Sequence, residues 1–168
     1  MSGYGSFYQP YLHMERMLSE CATFQTITGS ANATEAKTRI KFITVQDYDP
    51  TKPKAQIYIA IPCPRVVIWN MNPSKRRSSS SGYSCEPRLL LSLDIEIPSN
   101  VGPTEDEQFR YCGPLYESIE DEVALSGMQP GNLYIMEMNY LMVPSPEDPK
   151  LHGGRRIWAA DLEVVCQG

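Results

Sequence analysis

Residues 88–97 read RLLLSLDIEI, and the alternation in this stretch decides the fold. In an extended chain successive side chains point to opposite sides. Leu89, Leu91, Leu93, Ile95 and Ile97 therefore share one face, and Leu90, Ser92, Asp94 and Glu96 share the other. A helix cannot gather five apolar residues at a spacing of two, so this is a strand. Its second face passes from apolar to charged, the pattern of a strand with one side turned to water.

Working outward, the same period of two recurs. TRIKFITVQDY (38–48) is predicted as a strand ended by Asp49-Pro50, and QIYIAI (56–61) as a second, ended by Pro62-Cys63-Pro64. RVVIWNM (65–71) is nearly continuous in apolar character and is expected to be central. NLYIMEMNYLMV (132–143) and RIWAADLEVV (156–165) complete about six strands. Helical spacing appears twice. Leu12, Met14, Met17 and Leu18 mark a short helix over 11–20. PLYESIEDEVAL (114–125) is a second, with Pro114 suited to the first turn and Gly127 and Pro130 beyond the end. TGSANATEAK (28–37) is taken as a connection. Most strands follow one another without a crossover helix. The expected fold is therefore α+β: one domain, a largely antiparallel twisted sheet of about six strands, and one or two packed helices.

Length and composition agree with one real core. The chain has 168 residues, 42% of them hydrophobic, and its 14 prolines argue against a mainly helical protein. The net charge of −5 is unevenly spread. Residues 1–103 carry 11 basic and 8 acidic residues, net +3; residues 104–168 carry 4 and 12, net −8. Oppositely charged regions in one chain favour head-to-tail contact between copies. The five cysteines are odd in number and form no CxxC pair, which reads as free thiols rather than a disulfide framework. The start, MSGYGSFYQPYL, has neither a basic n-region nor an apolar run, so no signal peptide is expected. No run approaches the ~18 apolar residues of a spanning helix.

Three places stand out as candidate sites. NPSKRRSSSSGYS (72–84) joins Lys75, Arg76 and Arg77 to a run of serines, and is read as a basic, Ser-rich loop over 72–87. Its three cations would give weak, salt-sensitive binding to an anionic partner. Ser78 and Ser79 follow two arginines, the arrangement a basophilic kinase uses, and phosphate there would cancel most of the charge. The second place is the helix at 114–125, where Glu117, Glu120 and Asp121 form an acidic face, shared in part by Glu122, while Leu115, Ile119 and Val123 pack on the sheet. The third is residues 1–10, an aromatic N-terminal arm ahead of the 11–168 domain. Tyr4, Phe7, Tyr8 and Tyr11 have no local core, so a neighbouring copy is the simplest surface for them.

Catalytic chemistry is not written in the sequence. The two histidines, His13 and His152, belong to no HExxH or CxxC-type set, and no phosphate-binding glycine motif is present. No catalytic residue, metal site or cofactor is expected. With its aromatic arm, compact body, basic loop and acidic flank, the chain resembles the matrix protein of a small enveloped negative-strand RNA virus, of the plant cytoplasmic rhabdovirus type. The resemblance implies a non-enzymatic protein of the virion and host cytoplasm. Such a protein self-associates, binds the viral nucleocapsid protein and contacts an anionic membrane surface. The alternative is a single-stranded nucleic-acid binder in which Tyr48, Tyr58 and Tyr83 stack bases and Lys52, Lys54 and Arg76 neutralise phosphates.

Overall fold

A computed structural model describes residues 8–43, 49–52, 61–78, 82–128, 134–140 and 145–167, with 8–9, 70–78, 82–87, 134–140, 145, 151–152 and 166–167 described by backbone alone. Along the chain come helices α1 (Tyr8–Glu20), α2 (Ala22–Thr28) and α3 (Ala33–Lys37). Strands β1 (Ile40–Phe42), β2 (Arg65–Ser78) and β3 (Gly82–Glu96) follow, then a long helix α4 (Glu105–Gly127). The chain closes with β4 (Tyr134–Tyr140), a short β5 (Ser145–Pro146), a single 3-10 turn (Pro149–His152) and β6 (Ile157–Gln167).

The class is α+β. The sheet order is β1-β2-β3-β6-β4, with β5 paired to the other end of β6. Four long strands, β2, β3, β6 and β4, run antiparallel to their neighbours, and β1 joins β2 in parallel, so the sheet is mixed. In place of six comparable strands, β1 and β5 contribute only three and two residues. The sequence-predicted strand at 56–61 lies outside the described residues except for Ile61, as does 44–48 of the first.

Helices are more numerous than expected. The stretch taken as a connection contains α3, whose first turn Asn32 caps by accepting from Glu35 N at 3.0 Å. Helix α4 begins nine residues before Pro114, which therefore sits inside it rather than in its first turn. The true start is a capping box: Thr104 Oγ1 accepts from Glu107 N, and the Glu107 carboxylate accepts from Thr104 N and Oγ1. Those two bonds hold the Glu107 carboxyl below its ordinary value. Glu105 and Asp106 add negative charge where the helix dipole is positive.

The helices lie on one face of the sheet. That face presents Val66 and Ile68 of β2, Leu89, Leu91, Leu93 and Ile95 of β3, and Trp158, Ala160, Leu162 and Val164 of β6, all buried. Met14, Met17, Leu18 and Phe24 of α1–α2 and Cys112, Tyr116, Ile119 and Val123 of α4 close over it. Two polar contacts fix the helix layer. Tyr116 Oη shares its hydrogen between the carbonyls of Trp158 (2.7 Å) and Leu93 (3.0 Å), spanning β6 and β3. Glu122 accepts from Thr23 N and Oγ1, so it caps α2 from α4 instead of joining the acidic outer face.

The opposite face of the same strands is also largely buried, and there polar pairs stand among apolar Val67, Ile157, Ala159 and Val165. Arg65 faces Asp94 across the β2–β3 register, with Nε 2.8 Å from Oδ2 and side chains 0% and 4% exposed. Arg65 also donates to the Ile61 carbonyl at 2.8 Å. Ser92 donates to Asp161 at 2.6 Å, and Arg88 pairs with Glu163 at 3.1 Å. The alternation in 88–97 was correct, but the face read as solvated is mostly closed.

Candidate functional site

The basic segment is part of a hairpin, not a loop. Strand β2 continues through Lys75, Arg76 and Arg77 to Ser78, in register with Cys85, Ser84, Tyr83 and Gly82 of β3. The ladder shifts register between Met71 and Ser74. Pro73 falls in that irregularity, where its missing N–H removes no ladder bond. The expected loop at 72–87 is therefore a two-stranded ribbon, with Ser79 outside the described residues. Serine, lysine and glycine have poor strand propensity, so the sequence read as loop. The pairing is imposed by continuation of the apolar hairpin behind it. β3 pairs with β6 only from Arg88 onward, so beyond that residue the ribbon has no third strand among the described residues. From Ser74 to Ser78 it extends about 13 Å at the usual rise per residue.

The acidic helix is as expected in outline. Glu117 and Asp121 are exposed and Glu120 is half-buried, while Ile119 and Val123 are buried and Leu115 packs at the core margin. Burial raises the Glu120 carboxyl above its ordinary value, and Asp121 and Glu117 add to the rise. Glu117 and Glu120 have no hydrogen-bond or ion-pair partner among the described residues.

Of the arm, Tyr4 and Phe7 lie outside the described residues. Tyr8 opens α1, and Pro10 is buried, so the body begins before residue 11. Tyr11 belongs to that body: its ring meets Phe42 of β1 edge-on at 5.1 Å, and burial pushes its phenol to about 12. The residues proposed for nucleic-acid stacking are not brought together in what is described. Lys52 sits near Asp49 at 3.7 Å, Arg76 and Tyr83 are in the ribbon, and Tyr48, Lys54 and Tyr58 lie outside the described residues.

Beneath α4, between it and β3 and β6, is a cavity of about 400 Å³. Its walls are Leu18, Leu91, Leu93, Phe109, Ile119 and Leu162, and Glu117 and Glu120 stand on its helix side. No sequence pattern announced it. Gly113 is one of its lining residues, and a Cβ there would meet nothing within 4 Å. Ala160, on the sheet side, is also small.

Three thiols are described with their side chains, Cys21, Cys63 and Cys112, and all are buried. Burial raises the thiols of Cys21 and Cys112 to about 12 and that of Cys63 to about 11, which disfavours the reactive thiolate. His13 Nδ1 accepts from Arg16 at 3.2 Å, and burial, then Arg16, lowers its ordinary value. Among the described residues no cluster of His, Cys, Asp or Glu is placed to hold a metal, and no helix is long and apolar enough to cross a membrane. Set against known proteins, the chain matches no family model and no curated protein.

Proposed function

We propose that this chain is a non-enzymatic, matrix-type structural protein that assembles with copies of itself and links a viral nucleocapsid to an anionic envelope surface. The observation that carries the reading is a separation of charge between two elements of one chain. The Lys75–Arg77 segment lies on a ribbon that outruns the other described strands, and Glu117 and Asp121 are exposed on α4. A basic projection and an acidic helix on the same chain favour a heterologous contact, which propagates instead of closing. An isolated two-stranded ribbon is marginal in water and gains order from a partner. When not engaged by a neighbour, the same cations meet phosphate or a lipid headgroup.

Sedimentation velocity across salt concentration tests this. The wild type is expected to self-associate at low salt and to dissociate as salt screens the contact. Lys75→Glu/Arg76→Glu/Arg77→Glu should prevent association, as should Glu117→Lys/Asp121→Lys. Combining all five substitutions in one chain should restore it, because the contact then pairs with reversed signs. If both single-surface variants associate like the wild type, the reading fails. Strong, salt-dependent binding of single-stranded RNA by the monomer would favour the nucleic-acid alternative.

A further inference from the structure

The cavity under α4 has an apolar interior that self-assembly does not use, although Glu117 is common to both. Its volume of about 400 Å³ lies in the range of sites for small organic molecules. Apart from the two carboxylates on its helix side, the walls are almost wholly hydrocarbon. Asp161 borders it too, but that carboxylate is engaged by Ser92 on the other face of the sheet. Glu117 and Glu120 are thus acceptors without partners among the described residues, held beside apolar matter. We propose that this cavity is a binding site for a small organic cation: an aliphatic or aromatic body seated against Leu91, Leu93 and Leu162, with one ammonium or guanidinium head paired to Glu117 and Glu120.

Charge complementarity selects this occupant. An anionic head would meet Glu117 and Glu120 together and be repelled. A neutral molecule would fill the apolar part but leave both carboxylates uncompensated. A cation does both jobs, and it relieves the desolvation and like-charge repulsion that raise the Glu120 carboxyl. Gly113 lines the cavity with open space beside it, so a bulky residue there tests whether this wall is used.

Three probes sharing one chain length test the proposal by calorimetry on the full chain: n-octylammonium, 1-octanol and octanoate. Octylammonium should bind one to one, octanol about tenfold more weakly, and octanoate not measurably. Glu117→Gln/Glu120→Gln should remove the preference for the cation, and Gly113→Leu should remove binding of all three. In case Gly113→Leu misfolds, nuclear Overhauser contacts in the wild type, from the octyl chain to the Leu91, Leu93 and Leu162 methyls, locate the ligand independently. Equal binding of ammonium and carboxylate probes, or an octyl chain that contacts none of those methyls, overturns the site. So does binding that appears only in the Lys75→Ala/Arg76→Ala/Arg77→Ala variant, because a second copy would then be the natural occupant.

Discussion

The two faces of the sheet are built from the same strands, residue by residue, yet they are closed by different physics. Under the helices, Leu89, Leu91, Leu93 and Ile95 meet Trp158, Leu162 and Val164 with no polar side chain between them. One residue further along each strand, the other face sets Arg65, Ser92, Asp94, Asp161 and Glu163, tied in pairs across β2, β3 and β6, among Val67, Ala159 and Val165. Apolar packing tolerates exchange of one hydrocarbon for another of similar volume. A buried ion pair does not tolerate the loss of either partner, because the survivor is left charged in a poor solvent. The helix-side face should therefore depend on volume, and the polar face on pairing.

The largest effect should come from breaking the pair. Asp94→Ala leaves Arg65 buried and uncompensated at Nε, and should cost about 3–5 kcal/mol in urea unfolding. Replacing both, Arg65→Met with Asp94→Leu, should recover most of that loss. If Asp94→Ala is as mild as an ordinary surface change, the contrast between the faces is wrong. A smaller effect probes the exception on the apolar side. Tyr116→Phe keeps the ring and removes the hydroxyl that bridges the Leu93 and Trp158 carbonyls, and should cost about 1 kcal/mol. A neutral result would mean the ring alone anchors α4.

The smallest effect depends on pH. The Glu120 carboxyl is raised in the fold, first by burial and then by Asp121 and Glu117. Between its ordinary value of 4.5 and the raised one, the folded chain holds more protons than the unfolded chain. Stability therefore falls as pH rises through that window and stays lower above it. Glu120→Gln should raise the melting temperature at neutral pH and leave it unchanged well below the window. An equal shift at both extremes would mean that packing, and not charge, governs this position.

The core strand was legible in RLLLSLDIEI because a buried face enforces a period of two, and every residue of its odd face is buried. The acidic surface of α4 was legible for the matching reason, a helical spacing of Leu115, Ile119 and Val123. The first half of α4 was misread because Pro114 suits the first turn of a helix. The capping residues Thr104 and Glu107 were the better signal, three residues apart as the motif requires. Pro114 is tolerated inside because the helix is held along its length by the sheet beneath.

What the sequence by itself determined is which residues want to leave water, with what period, and where charge of each sign is concentrated. Those are properties of neighbours along the chain. It did not determine that the second face of β3 would be closed, that a run of lysine, arginine and serine would be drawn into a ladder, or that α4 would span a cavity at Gly113. Each of these depends on what lies across from a residue in space. Asp94 reads as a solvated carboxylate until Arg65 stands opposite, and Lys75, Arg76 and Arg77 read as a loop until Cys85, Ser84 and Tyr83 stand beside them. Burial and pairing are relations between distant residues, and only the tertiary structure supplies the other member of each pair.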